Sequence, residues 1–481
     1  MKNILSAFCL LFISANISAQ NKTGKEQLLI AIEKNKEVYA DIAKKIWEYA
    51  ELGYEENKSS LLLQEQLEKD GFSLKKGLAN IPTAFLASYG SGKPVIAILA
   101  EFDALPGMSQ AAVPEQKALL PGAPGHACGH NLFGAGSVAA VVAVKEWLQK
   151  SGTKGTIRLY GTPAEEGGAG KVYLVRAGLF NDVDITLHWH ASDENNASAR
   201  SSLALKSAKF RFYGKSAHAA RSPHLGRSAL DGVEAMNNMV NMMREHIPSD
   251  TRIHYAITYG GEAPNVVPSF AEVYYYVRHP EADKVKEIFY RVVKAAEGAA
   301  MGTETRMDYE LIHGTYNLLI NETVSTLADK NFRNVGGITY STEERAFAKK
   351  IQTTLAEKPA VEEANTIKPF VVIEGGVGNG ASTDVGDVSW ITPTAGLYAA
   401  TWVPGTASHS WQSAAASGTT IGVKGMIAAA KTLALTAYDL FFNPSIVDEA
   451  KKEFLKRRGT PFKYESLVGD RKPPLDFRKK K

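Results

Sequence analysis

Cysteine is nearly absent: the 481 residues contain two, Cys9 and Cys128. Cys9 falls in the leading stretch MKNILSAFCLLFISANISAQ, where Lys2 precedes a mostly apolar run, Ile4 to Ile17, and Ala19 offers a small-residue cleavage point. This pattern reads as an export signal over residues 1–19 and predicts a periplasmic or secreted protein. Cys9 sits too early for a lipoprotein cleavage site. Cleavage leaves Cys128 alone, which excludes an internal disulfide in the mature chain. A lone thiol in an oxidising compartment is a liability unless it is buried or held by a metal. Charge of one sign is missing too. The 55 Lys and Arg against 51 Asp and Glu leave a net +4, so there is no reason to expect nucleic-acid binding, which needs a concentrated basic face. Beyond the leader no further long apolar run reads as a transmembrane helix, and stable membrane insertion is not expected. Internal repeats and low-complexity tracts are absent from the sequence.

What is present is the composition of an ordinary globular enzyme, 44% hydrophobic and 22% charged, on a chain long enough for more than one core. Lys25 to Leu52 has helical spacing, with Gly53 placed as a C-cap; Leu61 to Leu67 reads as a second helix. The texture then changes. PVIAILAEFDALPG, TIRLYGTPAEEGG and VDITLHWHAS are each a short apolar segment ending in metal-binding or acid/base groups. A helix from about Gly136 to Gln149 separates the first two. Strands alternating with helices predict an α/β sheet, with functional groups at the carboxyl ends of its strands. From Leu203 the order becomes β-α-β-β-α-β, which fits a ferredoxin-like sandwich. After it, STEE at 341–344 is a capping box, TAGLYAATW reads as a strand, and Ala414 to Leu440 contains a long apolar helix. The charged tail after Asp448 is expected at the surface.

Within GHACGHN, Cys128 and His130 lie in a glycine-rich turn that lets side chains converge. Thiolate and imidazole are strong ligands for zinc and related metals, although the motif alone also suits a buried structural cysteine. Glu165 and Glu166 are adjacent carboxylates after a strand, so their side chains diverge. One can ligate a metal while the other takes a proton from a water activated there. His188 and His190 flank Trp189 and share one strand face; either suits ligation. His409 lies in a loop of small residues, GTASHSWQ. Arg278 ends a tyrosine-rich strand, where a guanidinium can clamp a carboxylate with two parallel hydrogen bonds.

In chain order AEFDALPG, GHACGHN, GTPAEEGGAGK, TLHWHAS, STDVGDVSW and SHSWQ span the mature chain. With these motifs the sequence resembles the aminoacylase/carboxypeptidase family of di-metal amidohydrolases, in the branch with cysteine in the metal site. The resemblance implies an α/β catalytic domain with a central mixed sheet flanked by helices, in two parts (20–202 and 321–481), and an inserted ferredoxin-like lid and dimerisation domain (203–320). It implies two divalent ions, zinc or manganese, held by Cys128, His130, Glu166, His190 and His409, with Glu165 as general base and acid. His190 is matched by its distance from Val183 and Asp184. Related branches have His-x-Asp where this chain has Glu101-Phe102-Asp103, so Asp103 takes a supporting place behind the ligands. His218 resembles a histidine that reaches across a dimer to polarise the scissile carbonyl, and Asn265 and Arg278 resemble residues that hold the substrate carboxylate. His126, His188 and His224 receive no role. The implied reaction is hydrolysis of N-acyl or N-aroyl amino acids, p-aminobenzoyl-glutamate-like compounds favoured, by a homodimer or a hetero-oligomer with a related subunit. The alternatives are a dipeptidase or aminoacylase with another side-chain preference and, more distantly, a non-catalytic periplasmic binding protein, which would be expected to have lost some of these groups. Arg221 and Arg227, near His218, are candidates for reading a side-chain carboxylate.

Overall fold

The computed structural model describes residues 23–375 and 381–478; the expected export signal lies outside them. Among the described residues twelve strands form three sheets: β1 (Ser73–Lys76), β2 (Phe85–Ser91), β3 (Val95–Ala100), β4 (Gly155–Gly161), β5 (Ile185–Ser192), β6 (Ala199–Arg200), β7 (Ala204–Tyr213), β8 (Arg252–Tyr259), β9 (Phe270–His279), β10 (Arg306–Thr315), β11 (Val372–Ile373) and β12 (Thr394–Ala400). The central sheet has the order β1-β2-β4-β3-β5-β12. Its β4, β3, β5 and β12 are parallel, while β2 runs antiparallel to β4 and β1 to β2. This is the mixed sheet the sequence implies. All six residues of β3, VIAILA, are buried, as expected for a parallel strand covered on both faces.

Two long apolar helices cover the central sheet: α3 (His130–Ser151) and α6 (Thr420–Phe442) pack on each other and on its strands, with α1 (23–34) and α2 (Lys36–Tyr49) outside them. The second sheet has the order β10-β7-β9-β8, all antiparallel, and carries α4 (Ala229–Met243) and α5 (Ala282–Gly302). This is the β-α-β-β-α-β plan read from the sequence. On α5 the buried positions Val285, Ile288, Phe289, Val292 and Ala296 recur at three- and four-residue intervals, the stripe of an amphipathic helix. They join Phe210, Phe212 and Val233 in a core separate from that of the central sheet. The capping box at Ser341 is present, with Glu344 closing it.

Several boundaries differ from the sequence reading. The first helical stretch is two helices interrupted at Asn35, and it ends at Tyr49, not Gly53. Ala50 itself takes the left-handed conformation, φ 43°, and its N–H closes on Ile46. The apolar helix expected from Gly136 begins six residues earlier, at His130. Gly129 makes that start possible: its φ is +73°, and a Cβ there would lie 2.3 Å from the Ala191 Cβ. Gly136 instead marks close packing, since its Cβ would lie 2.9 Å from Met426 and 3.0 Å from Trp189. The stretch Ala414 to Leu440 does contain a long apolar helix, α6, preceded by a short one, Trp411–Ser417; Thr419 between them is extended as the cap of α6. By length and composition α6 could cross a membrane, contrary to the expectation of no such run; its apolar faces are mostly buried in the core. The tail is not confined to the surface: Leu467 and Val468 are buried.

Candidate metal centre and active site

The carboxyl ends of β3, β4 and β5 and the start of α3 meet on one side of the central sheet, where an open α/β sheet places its site. Each contributes. Glu101 and Asp103 follow β3, Glu165 and Glu166 follow β4, His188 and His190 lie on β5, and Cys128 and His130 open α3. The loop before Trp411–Ser417 brings His409, whose N–H donates to the Ala127 carbonyl at 3.0 Å. Three non-glycine residues here are left-handed, Ala164 (φ 59°), Ala169 (φ 57°) and His409 (φ 58°). Such backbone persists only where surroundings hold it. The buried Glu56 accepts the Ala164 N–H at 2.8 Å, and Tyr54 donates to the Gly168 carbonyl at 2.7 Å. The turn thereby sends Glu165 and Glu166 in different directions.

Potential donor atoms gather in groups whose members lie within 4.8 Å of one another: Cys128, His130 and His190; Cys128, Glu166 and His409; and Glu101, His130 and Glu165. The first two share Cys128. Cys128 Sγ is 3.5 Å from His190 Nε2, and His409 Nε2 is 3.2 Å from Glu166 Oε1. Two nitrogen or oxygen donors bound at about 2.1 Å to one ion lie about 3.0–3.4 Å apart, and a thiolate with an imidazole about 3.5 Å apart. His130 Nδ1 is held by the Asp103 carboxylate at 3.0 Å and its carbonyl at 3.1 Å, and His190 Nδ1 donates to the Ala191 carbonyl at 2.8 Å. Both rings therefore turn Nε2 inward, as metal-binding histidines do. The buried atoms His130 Nε2, Glu166 Oε1 and Glu101 Oε2 have no hydrogen-bond partner among the described residues. A set of thiol, imidazole and carboxylate with inward atoms unpaired fits divalent metal ions.

The electrostatics of the donors follow from burial and from their own charges. Burial, then the Glu166 carboxylate, push the Cys128 thiol well up, so the thiolate needs the positive charge of an ion rather than a helix end alone. Burial would lower His130, but Cys128, Asp103 and Glu101 outweigh it and hold its pKa well above the usual value. Burial, followed by Glu101, Glu166 and Asp384, raises Glu165 well above an ordinary carboxyl.

Asp103 sits behind the donors: besides His130 it accepts the Glu166 N–H at 2.9 Å. His126 is buried, bonded to the Ile46 carbonyl at 3.0 Å, and burial and His130 lower it to about 3. His188 belongs to none of the donor groups; its ring lies over Gly396 of β12 and burial lowers it to about 4. His218 and Asn265 are brought together, the Ala219 N–H meeting the Asn265 carbonyl at 3.0 Å, but both are exposed on the lid and neither lines the cavity over the donors. His224 is exposed nearby. Arg278 is half-buried beside that cavity, within 3.5 Å of Ser382 in its wall.

The cavity has a volume of about 680 Å³. Its one guanidinium among the lining residues is Arg200, on β6. Arg221 and Arg227 do not line it, and Arg227 is engaged by Glu304 at 2.7 Å. Sequence reasoning also missed Glu101, Lys171 and Asp384, although each lies inside a quoted motif. Lys171 is fully buried, its Nζ 2.7 Å from both Glu101 Oε1 and Asp384 Oδ1.

Residues 201–304 match the family model described as a peptidase dimerisation domain. The chain is 42% identical to one of the subunits of p-aminobenzoyl-glutamate hydrolase from Escherichia coli K12, over 88% of its own length and 93% of that protein. It is 28% identical to the Xaa-Arg dipeptidase of Mus musculus, over 91% of this chain and 93% of that one. Its fold is similar to that of a dinuclear metal-binding peptidase of the M20 family from Bacillus subtilis, with a TM-score of 0.58 at 18% identity, covering 85% of this chain and 99% of the other. Strand-end donors around a shared thiol, on a central sheet joined to a dimerisation domain, thus accompany full-length sequence identity: the chain belongs to the M20 family of metal-dependent amidohydrolases and peptidases, together with the p-aminobenzoyl-glutamate hydrolase of Escherichia coli.

Proposed function

We propose that this protein hydrolyses the amide bond of N-aroyl or N-acyl amino acids, with p-aminobenzoyl-glutamate-like compounds as preferred substrates. The observation that carries the reading is the pair of donor groups sharing Cys128, with Glu165 beside them. Cys128, His130 and His190 would hold one divalent ion, and Cys128, Glu166 and His409 the other, zinc or manganese. Such ions supply Lewis acidity and acidify a coordinated water. Glu165 takes the proton of the attacking water and returns it to the leaving amine. Its raised pKa suits a group that must both accept and release a proton.

Arg278 would hold the substrate α-carboxylate from the lid side, and Arg200 an anionic side chain. His218 and Asn265, exposed on the lid, would serve the site of a second protomer, His218 stabilising the developing oxyanion and Asn265 helping to hold the substrate carboxylate. The dimerisation match supports a dimer; a hetero-oligomer is the alternative, since the bacterial relative is named as one subunit of its enzyme. Export through the leader would place the enzyme in the periplasm or outside the cell.

A dipeptidase acting on cationic side chains is the second reading, because Asp193 and Glu194 also line the cavity. Both already hold protein donors: Asp193 accepts the Gly405 N–H at 2.9 Å and Glu194 the Asn196 amide at 3.0 Å. Arg200 has no such partner among the described residues, which favours an anionic substrate.

The test is release of p-aminobenzoate from p-aminobenzoyl-glutamate by the mature protein loaded with zinc or manganese, beside hippurate and Xaa-Arg dipeptides. Glu165→Gln should keep fold and metals and lose about 10²–10⁴-fold in kcat. Wild-type turnover by this variant defeats the assignment of the base. Cleavage of the arginine dipeptides alone replaces the substrate.

A further inference from the structure

Glu101 lies just past β3, 1% exposed, and its two oxygens face different surroundings. Oε1 is 2.7 Å from Lys171 Nζ. Lys171 is fixed in turn by Asp384, whose Oδ1 receives its ammonium at 2.7 Å and whose Oδ2 receives its backbone N–H at 2.9 Å. Oε2 points the other way, 3.1 Å from His130 Nε2, and has no hydrogen-bond partner among the described residues. The His130 ring already presents Nδ1 to Asp103, so its Nε2 faces Oε2, and neither atom has a hydrogen-bond partner among the described residues. Two inward donor atoms so placed suit a shared cation. The local charge balance leaves room for one: the single Lys171 ammonium stands between two carboxylates, Glu101 and Asp384.

We propose that Glu101 is a further metal-coordinating side chain, binding the same ion as His130, with Lys171 as the residue that aims it. The inference rests on the di-metal reading given under Proposed function and adds a donor to it. The separation of 3.1 Å between Glu101 Oε2 and His130 Nε2 is that of two donors on one ion. A lysine holding the far oxygen of a ligating carboxylate is the outer support that orients such ligands. The competing account is an ion pair between Glu101 and a protonated His130, with no part in metal binding.

Metal-free protein, prepared with a chelator, would be titrated with zinc by calorimetry and with cobalt(II) by absorption spectroscopy. The wild-type titration comes first. Failure to take up two ions per chain would overturn the di-metal reading, and Glu101 with it. Given two ions, Glu101→Gln should weaken one of them at least about tenfold while the other keeps its affinity, and the cobalt spectrum of the weakened site should change. The variant leaves the buried Lys171 ammonium paired with Asp384 alone, and removing Lys171 would strand Asp384 in turn, so Glu101→Gln/Lys171→Met/Asp384→Asn is the partner measurement: it removes the three buried charges together and separates folding from metal binding. The same selective loss is expected in the triple variant. Two ions bound with wild-type affinity and an unchanged cobalt spectrum, in either folded variant, overturn the assignment of Glu101 and leave the di-metal reading standing.

Discussion

The Arg200 side chain makes no hydrogen bond or ion pair among the described residues, and its Nε is buried without an acceptor. It faces the cavity above the donor atoms from a two-residue strand, β6, paired with β11. Tyr398, in contact with the His190 ring at 6.1 Å between centroids, lies close enough to feel both Arg200 and Cys128. A substrate whose amide sits over the donors would bring its side chain within reach of this guanidinium. A charge-assisted hydrogen bond contributes about 1.5–3 kcal/mol. Arg200→Gln should therefore raise KM for p-aminobenzoyl-glutamate about 10–100-fold and leave KM for hippurate, which has no side chain, unchanged. Equal changes for both substrates would show that Arg200 does not read the side chain.

At the scale of elements, the turn from Glu165 to Gly168 is held from two sides. Tyr54 bonds Gly168 from the amino-terminal helices, and the carboxyl-terminal tail supplies the other hold. Arg478 donates to the Glu166 carbonyl at 2.6 Å, and Phe477 meets the Tyr54 ring edge-on at 5.7 Å. Arg471 ties the same tail to the lid through the Ile312 carbonyl at 2.7 Å. A chain ending at Val468 keeps both cores and should fold, with a thermal midpoint within a few degrees of the full chain. Its kcat should fall about tenfold or more, because misplacing a base or ligand by an ångström costs that much or more. Unchanged kcat would show that the tail is ornamental to the site. Nothing in the tail sequence announces this contact: RKPPLDFR reads as a surface segment, and only the fold brings it 312 positions back to Glu166. The alternation of strands and helices was legible because period and composition are local properties. The strand ends carrying Glu165 and His190 and the turn carrying Cys128 were legible for the same reason, each beside Gly or Pro or in a short motif. The start of α3 was not. Glycines at 134 and 136 mimic a boundary, whereas the chain uses Gly136 to let α6 and Trp189 approach. Glu101, Lys171 and Asp384 stayed silent because their meaning is a mutual contact between segments far apart in the chain.

For the whole molecule, the two hydrophobic cores define two bodies with different tasks. The central sheet gathers the donors; the lid carries His218 and Asn265 to a surface of its own, outside the cavity wall of the same chain. One edge of the lid sheet is β8, where Tyr255, Ile257 and Tyr259 are all substantially exposed. An open edge with apolar side chains is a template for pairing with another strand, and a twofold dimer would cover it. If His218 completes the site of the partner, Glu165→Gln and His218→Ala damage different protomers' contributions to one site. Each homodimer should be nearly inactive. In a mixed dimer one site carries both lesions and the other carries neither. Random exchange of the two variants should then restore about a quarter of wild-type kcat per chain, with KM unchanged. Mixing after reversible dissociation, followed by a turnover assay, reads this directly. Activity that stays at the level of the separate variants, with mixed dimers demonstrated by mass, would place His218 outside the partner's site.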